Sequence, residues 1–281
     1  MGENILYPHW SLEVIEPVEE GREFKIAMFD FDGTLSLIRE GWQEIMIPYF
    51  CEEFFTSLPE RSESDDEVLA LVTDFVDELT GKQTIFQCMQ LKTEIEKRGG
   101  IAKEAMDYKN EYLRRLFLKI ESKRNGLADG SIDPVSLLVK GSEQFLMALK
   151  DKGIEIFCAS GTDQPQVIEE AKLLGLDKYF GENIFGALDE HASQCSKELV
   201  INRVLNDKNV KGENLLSFGD GFVEIELVKN VGGYAVAVAT DEQTQMGVNE
   251  QKRERLLSAG AHAVVPDFEN GQALINHLFN N

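Results

Sequence analysis

The segment Phe24-Lys-Ile-Ala-Met-Phe-Asp-Phe-Asp-Gly-Thr34 is the first indication of the fold class of this chain. It is a short apolar run that ends in two acidic residues and a glycine. Such a run indicates a buried strand followed by a tight turn. Because the acids come directly after the strand, we expect them at its carboxyl end, where open α/β sheets bind their ligands.

Further apolar runs follow in the second half of the chain. They occupy residues 154–159, 183–185, 214–218, 234–239 and 261–265, with helical patterns between them. Continuous apolar runs that alternate with helices predict βα units and a parallel sheet that is covered on both faces. The predicted fold class is therefore α/β, with a Rossmann-like parallel sheet as its core.

A segment of different character separates the first predicted strand from the second. Its Glu, Lys, Leu and Phe residues follow helical spacing, with interruptions near positions 58, 80 and 99. This pattern predicts amphipathic helices and no strand. Since loop tips tolerate inserted domains, we expect an N-terminal polar arm at 1–23, an α/β core at 24–38 and 131–281, and an all-helical insert at 39–130.

The composition disfavours several classes of function. The chain has 281 residues, and its 28 basic and 50 acidic side chains give a formal net charge of −22. This excess disfavours binding to nucleic acids and to anionic membranes, which need clustered lysine and arginine. No protein partner is evident from the sequence. Four cysteines without a Cys-x-x-Cys pair, no visible signal peptide and no membrane-length apolar run predict a cytoplasmic protein.

Polar residues that could take part in catalysis or ligand binding follow three of the predicted strands. Besides Asp30 and Asp32, Ser160-Gly161-Thr162 follows the second strand, and Gly219-Asp220-Gly221 follows the run at 214–218. Glu224 lies one turn beyond Asp220, and Lys197 opens a helical segment. Because the carboxyl ends of parallel strands meet at one edge, we expect these acids, the serine hydroxyl and the lysine to converge there.

Several carboxylates at one edge need a counter-charge, because like charges raise one another's pKa. A divalent cation would supply it, and oxygen ligands without paired histidine or cysteine indicate Mg²⁺. Ser160, neighbouring backbone N–H groups and Lys197 could then bind a phosphate group. Asp30 is a candidate nucleophile, since carboxylates can form aspartyl-phosphate intermediates. Asp32 is a candidate general acid and base.

The sequence resembles the haloacid dehalogenase superfamily, whose four ordered motifs match Asp30-Phe-Asp-Gly-Thr34, Ser160-Gly161, Lys197 and Gly219-Asp-Gly-Phe-Val-Glu224. The resemblance covers about residues 24–40 and 130–280. Any one motif alone is weak, but all four occur in order, each at a predicted strand end or helix start. The other candidate for the family's lysine, Lys172, lies inside a predicted helix.

The resemblance implies a role for each matched residue. It makes Asp30 the nucleophile, Asp32 the acid/base with a metal-binding backbone carbonyl, and Lys197 the charge-balancing lysine. The implied phosphate-binding residues are Ser160, Gly161, Lys197 and Thr34, and the implied metal-binding residues are Asp30, Asp32, Asp220 and Glu224. Glu224 stands where the family often has a second acid, either as a metal ligand or beside one.

The acid at position 32 separates subclasses of the family. Members that cleave carbon–halogen bonds lack it, so the resemblance implies phosphomonoester hydrolysis or phosphoryl transfer. The insert at 39–130 is similar to the family's helical cap, which closes over the substrate and excludes water. Its turn Leu79-Thr-Gly-Lys-Gln-Thr84 offers Lys82 and Gln83 as candidate specificity residues.

The expected function is that of a Mg²⁺-dependent phosphatase acting on a small phosphorylated metabolite, with a sugar phosphate as the expected substrate. One alternative is a phosphosugar mutase of the β-phosphoglucomutase type, which the four motifs do not separate from a phosphatase. A second alternative is a non-catalytic binding module on the same fold. The sequence lacks the Gly-x-Ser-x-Gly elbow of serine hydrolases and the phosphate loop of P-loop enzymes.

Overall fold

The structure is a computed structural model that describes residues 9–188 and 196–279. Its strands are β1 (Glu13–Val14), β2 (Ile26–Phe29), β3 (Glu155–Asp163), β4 (Ile184–Ala187), β5 (Leu215–Gly219), β6 (Tyr234–Val238) and β7 (Ala263–Val265). They form one sheet in the order β1-β7-β6-β5-β2-β3-β4. Strands β2 to β7 pair in parallel, and β1 pairs antiparallel with β7. The predicted α/β class is confirmed.

Four α-helices form the segment between β2 and α5 (Ser142–Asp151). They are α1 (Gln43–Ser57), α2 (Asp65–Glu78), α3 (Thr84–Lys97) and α4 (Ala105–Asp129). The helices after α5 are α6 (Gln164–Leu173), α7 (Asp177–Phe180), α8 (Ser196–Asp207), α9 (Phe222–Asn230), α10 (Glu250–Ser258) and α11 (Gly271–Phe279). Helix α1 packs on α2, and α3 packs on α4, so the inserted helices cover one another's apolar faces.

The sheet is buried on both faces, as its continuous apolar runs predict. Along β2, Ala27 and Phe29 face one apolar core, while Ile26 and Met28 face the other. Phe29 stacks on Phe218 of β5 with 4.6 Å between the ring centroids. This packing fixes the backbone of two adjacent strands just before their carboxyl ends.

The centre of the sheet creates a crevice at its carboxyl edge. Strand β2 lies between β3 and β5, so the chain leaves β2 toward one neighbour and returns later on its other side. A change of direction of this kind is where open α/β sheets bind ligands. Residues that follow β2, β3 and β5 therefore meet at one place.

Part of the segment that the sequence predicts as a polar arm pairs with the edge of the sheet. Glu13 and Val14 form β1, which pairs with Val264 and Ala263 of β7. The Trp10 indole N–H donates a hydrogen bond to the backbone carbonyl of Asp267, at 3.0 Å. A two-residue strand is too short to show a period in the sequence. None of the helices in the described ranges combines the length and apolar character that a membrane crossing requires.

Candidate active site

Three buried carboxylates meet at the carboxyl edge of the sheet. Asp30 follows β2, Asp220 follows β5, and Glu224 lies in the first turn of α9. One oxygen atom of each lies within 4.8 Å of the others. Carboxylates at this spacing repel one another, so the cluster needs positive charge. Its oxygen-only donor set is the kind that hard divalent cations prefer.

Lys197, in the first turn of α8, supplies one positive charge. Its Nζ atom lies 3.0 Å from Asp30 Oδ2 and 2.9 Å from Glu224 Oε2, and the residue is only 2% exposed. Burial opposes its charged form, but the carboxylates of Asp30 and Glu224 raise the pKa of Lys197 above its usual value. Lys172 lies on the exposed surface of α6. Of the two candidate lysines, the structure therefore brings Lys197 to the carboxylates.

Asp30 is held on both of its carboxylate oxygens. The Phe31 backbone N–H donates to Asp30 Oδ1 at 2.8 Å, while Lys197 contacts Oδ2. Burial raises the pKa of Asp30 well above its usual value, and Glu224 and Asp220 raise it further against the effect of Lys197. A cation bound in the cluster would favour the ionised carboxylate, which is the form that can act as a nucleophile.

Asp32 points to a different environment from Asp30. The Thr162 hydroxyl donates to Asp32 Oδ2 at 2.7 Å, and Arg39 Nε lies 3.7 Å from Oδ1. Within the described residues, this Oδ1 atom has no hydrogen-bond partner. Burial raises the pKa of Asp32 to about 6, although Arg39 lowers it. A carboxyl group with this pKa can exchange a proton in both directions near neutral pH.

Arg39 lies between β2 and α1 and connects Asp32 to α6. Its Nε and Nη2 atoms donate to the two Glu170 carboxylate oxygens at 3.0 and 2.8 Å, and Nη2 also donates to Gln166 Oε1 at 2.9 Å. This two-bond geometry fixes the plane of the guanidinium group. No sequence motif identifies Arg39, because its partners lie about 130 residues further along the chain.

The predicted phosphate-binding residues separate into two groups. Ser160 and Gly161 lie in β3 and line a cavity together with Lys197. Thr34 is fully buried and does not line this cavity. Its hydroxyl lies 3.5 Å from Asp220 Oδ1, to which it donates a long hydrogen bond. The structure therefore places Thr34 beside a carboxylate of the cluster.

The turn between α2 and α3 lies against this edge of the sheet. Gly81 has a φ of +95°, and a Cβ atom there would lie 2.5 Å from Glu224 Oε2. A Cβ atom on Gly161 would lie 2.6 Å from the backbone oxygen of Lys82. Lys82 lines the cavity. Gln83 is buried away from it, and no hydrogen-bond partner for its Oε1 lies in the described residues.

The cavity lies between the sheet edge and the inserted helices, and its volume is about 90 Å³. From the sheet edge it is lined by Asp30, Asp32, Ser160, Gly161, Thr162, Lys197 and Asp220. From the inserted segment it is lined by Trp42, Met46, Thr80, Gly81, Lys82, Thr84, Gln87 and Tyr112, and from the preceding loop by Arg39. Sequence reasoning missed Trp42, Gln87 and Tyr112, because helical periodicity does not show which apolar face meets the sheet.

A further lysine, the largely buried Lys252 of α10, also contacts the cluster. Its Nζ atom lies 2.7 Å from Asp220 Oδ2 and 2.6 Å from Glu242 Oε1. The surrounding sequence Glu250-Gln-Lys-Arg-Glu-Arg255 has the composition of a solvated surface helix. No sequence signal therefore distinguishes Lys252 from its exposed neighbours.

The fold is shared with several solved structures. A protein from Clostridium acetobutylicum, named as a phosphatase by prediction, has a TM-score of 0.57 and 18% identity, and the match covers 90% of this chain and 99% of that one. A haloacid dehalogenase-like protein of unknown function from Agrobacterium tumefaciens has a TM-score of 0.56 and 16% identity, covering 90% and 97%. A protein from Thermotoga maritima, with the provisional name beta-phosphoglucomutase, has a TM-score of 0.52 and 20% identity, covering 91% and 100%.

The sequence itself also matches a known family. No curated protein sequence matches the chain. The family model for haloacid dehalogenase-like hydrolases, however, matches residues 24–232. This range begins at the strand before Asp30 and extends beyond Glu224, so it includes the carboxylate cluster and Lys197. The chain therefore belongs to the haloacid dehalogenase-like hydrolase family.

Proposed function

We propose that this hydrolase is a Mg²⁺-dependent phosphatase that hydrolyses a small phosphorylated metabolite, with a sugar phosphate as the expected substrate. The observation that carries the proposal is the contrast between two aspartates at one cavity. Asp30 is paired with Lys197, whereas burial raises the pKa of Asp32 to about 6. A cytoplasmic location and the lack of nucleic-acid, membrane and protein partners stay predictions from the sequence.

The reaction follows from these two environments in two steps. In the first, an Asp30 carboxylate oxygen attacks the phosphorus, the bond to the leaving oxygen breaks, and Asp32 gives that oxygen a proton. In the second, Asp32 takes a proton from a water molecule, whose oxygen attacks the phosphorus of the aspartyl phosphate. The bond between Asp30 and phosphorus then breaks, which releases inorganic phosphate and restores both aspartates.

The residues around Asp30 fit a metal and a phosphate group together. Asp30, Asp220 and Glu224, with the backbone carbonyl of Asp32, would hold Mg²⁺. This ion would neutralise charge on the phosphate as the reaction proceeds. The Ser160 hydroxyl, the backbone N–H groups beside it and the Lys197 ammonium would donate hydrogen bonds to the phosphate oxygens.

We also propose that helices α1 to α4 act as a cap that contributes substrate contacts. Their turn around Gly81 packs against Glu224, and Lys82 lines the cavity. The Lys82 ammonium lies 5.9 Å from the centroid of the Phe86 ring and forms no ion pair within the described residues. Lys82 is therefore available to contact the substrate, and the corresponding role of Gln83 stays a prediction.

A phosphate-release screen over phosphosugars, nucleotides and other phosphorylated metabolites tests this function. We expect release that depends on added Mg²⁺ and that falls about 10³-fold or more in Asp30→Asn, because the nucleophile is lost. Asp151→Asn, a change of the same chemistry at the exposed end of α5, should keep full activity. Phosphate release that persists in Asp30→Asn would refute the assignment.

Phosphosugar mutase activity is the second candidate function. The fold similarity to the Thermotoga maritima protein with the provisional name beta-phosphoglucomutase favours it. A mutase would use the same aspartyl phosphate but return the phosphoryl group to another hydroxyl of the sugar. Product analysis separates the two functions, because a mutase yields an isomerised sugar phosphate where a phosphatase yields inorganic phosphate.

A further inference from the structure

The ion pair between Lys252 and Glu242 contacts Asp220 of the carboxylate cluster. We propose that this pair sets the affinity of the carboxylate cluster for its divalent cation, an inference that rests on the metal site of the proposed function. Neither residue lines the cavity among the described residues. Lys252 and Glu242 would therefore act through Asp220, as positioning residues and not as groups that touch the substrate.

Lys252 contacts one of the two carboxylate oxygens of Asp220. Its Nζ atom lies 2.7 Å from Asp220 Oδ2, while Asp220 Oδ1 accepts, from the residues that the structure describes, only the 3.5 Å hydrogen bond of Thr34. The same Nζ atom lies 2.6 Å from Glu242 Oε1. All three side chains are largely buried: the exposed fraction is 14% for Lys252, 11% for Asp220 and 18% for Glu242. Their interaction is therefore weakly screened by solvent.

Helix α10 holds Lys252 in this position by two further contacts. The Asn249 side chain caps the helix and accepts a hydrogen bond from the Lys252 backbone N–H at 3.0 Å. Arg255, one turn further on, donates through Nη2 to the backbone oxygen of Asp220 at 3.3 Å. The turn at Asp220 and the start of α10 are thus joined by both a side-chain and a backbone contact, which makes Lys252 a fixed part of the site.

The summed formal charge of the carboxylate cluster, Glu242 and the two lysines is equal and opposite to that of a divalent cation. The charged groups are the carboxylates of Asp30, Asp220, Glu224 and Glu242 and the ammonium groups of Lys197 and Lys252. Four negative and two positive groups leave a formal charge of −2. Lys252 competes with the cation for Asp220, while Glu242 draws the ammonium away from it. Removing either partner should therefore shift cation affinity, and in opposite directions.

Direct binding of Mn²⁺ to the full chain without substrate, followed by electron paramagnetic resonance, tests this inference. We expect Lys252→Met to lower the Kd for Mn²⁺ roughly tenfold and Glu242→Gln to raise it roughly tenfold, since partners of metal ligands change affinity by about 10- to 100-fold. The double variant keeps the formal charge of −2 and contains no uncompensated charge from the pair. Its Kd should stay within about threefold of the wild type.

The exposed pair Lys211 and Glu213, with 81% and 62% of the side chains exposed, provides matched controls. Lys211→Met and Glu213→Gln make the same chemical changes and should leave the Kd unchanged. If both single variants of the buried pair weaken binding, or if the double variant loses it, the pair only supports the fold and the inference is wrong.

The experiment also separates this inference from the proposed reaction. Failure of the wild type to bind Mn²⁺ would overturn both the metal site and the role of the ion pair. The expected order of affinities, combined with a failed phosphate-release screen, would refute the phosphatase assignment and support the role of Lys252 and Glu242.

Discussion

Asp30 and Asp32 show how two carboxylates two residues apart acquire different chemistry. The turn after β2 directs Asp30 toward Lys197 and the acidic cluster, and Asp32 toward Thr162 and Arg39. Burial raises the pKa of both, but the charged partners differ. When the environments of two neighbouring acids shift their pKa values to different extents, one can act as an acid or base while the other has a different role.

The raised pKa of Asp32 predicts a pH-dependent effect of Asp32→Asn on stability. Folded Asp32 has a pKa of about 6, whereas the unfolded carboxyl titrates near about 4. Between these values the folded chain binds more protons, so ionisation of Asp32 lowers the free energy of unfolding as the pH rises. Asparagine does not ionise, and the variant should therefore gain about 1 kcal/mol relative to the wild type between pH 5 and pH 7.5.

Urea unfolding of the metal-free protein at several pH values measures this gain. Asp151→Asn, at an exposed position, is the control and should show no such trend. A difference between Asp32→Asn and the wild type that stays constant with pH would contradict the expected shift.

At the residue level, the sequence predicts the groups that belong to its motifs and misses those that reach the site from elsewhere. Asp30, Ser160 and Asp220 could be placed because each lies at the carboxyl end of a predicted strand. Arg39 and Lys252 could not, because an arginine in a loop and a lysine in a polar helix look like ordinary surface residues. Their positions depend on how α6 and α10 pack, which periodicity does not show.

The turn between α2 and α3 is the element that connects the inserted helices to the chemistry. Gly161 permits this contact, because any side chain there would meet the backbone oxygen of Lys82. The backbone on the inserted side cannot move as easily as a flexible side chain. The distance between the turn and β3 should therefore control how the cavity is closed.

Gly161→Ala should displace this turn and impair catalysis more than folding. The new Cβ atom would lie 2.6 Å from the Lys82 oxygen, so the turn must move away from the phosphate-binding residues. We expect kcat/KM to fall about 10- to 100-fold, since small misplacements of catalytic groups are costly. Steady-state kinetics and urea unfolding of the same variant measure the two effects.

Gly271→Ala, at the start of α11 and 3.2 Å from a carbon of Phe145, serves as the comparison and should keep normal kinetics. Unchanged kcat/KM in Gly161→Ala would show that the turn does not need its close contact with β3.

The elements themselves were predictable to different degrees. The interruptions near positions 58, 80 and 99 correspond to the ends of α1, α2 and α3 at Ser57, Glu78 and Lys97, because proline and glycine end helices through local sterics. Strand β3 extends to Asp163, beyond the predicted apolar run, since pairing with β4 continues after the hydrophobic residues end. Strand β1 was missed because it depends on its partner β7.

The net charge of −22 affects the whole molecule. The proposed substrate is an anion, so the overall field should slow its approach. Lys197, Lys82 and the proposed Mg²⁺ would reverse the sign of the field locally at the cavity. Solvent-exposed charges are screened by salt much more than the buried pairs around Asp30 and Asp220.

Salt should therefore improve the apparent affinity for an anionic substrate. We expect KM to fall about twofold as KCl rises from about 0.01 M to about 0.15 M, because the Debye length shortens from roughly 30 Å to roughly 8 Å. Initial-rate measurements at saturating Mg²⁺ test this, with sucrose as a non-ionic control. A KM that rises steeply with salt would show that attraction at the site outweighs the global repulsion.

Covalent catalysis by Asp30 is the central step of the proposed reaction, and the position of the phosphoryl group can be determined directly. The leaving group of p-nitrophenyl phosphate needs no proton, so Asp32→Asn should still transfer the phosphoryl group to Asp30. The same variant should hydrolyse the intermediate slowly, because it lacks the base that activates water.

Acid quenching of Asp32→Asn after mixing with p-nitrophenyl phosphate and Mg²⁺, followed by peptide mass spectrometry, is the most direct test. We expect one nitrophenolate released per enzyme molecule in a burst and a phosphoryl group on Asp30. Turnover without a phosphorylated Asp30, or with the phosphoryl group on another residue, would contradict covalent catalysis by Asp30.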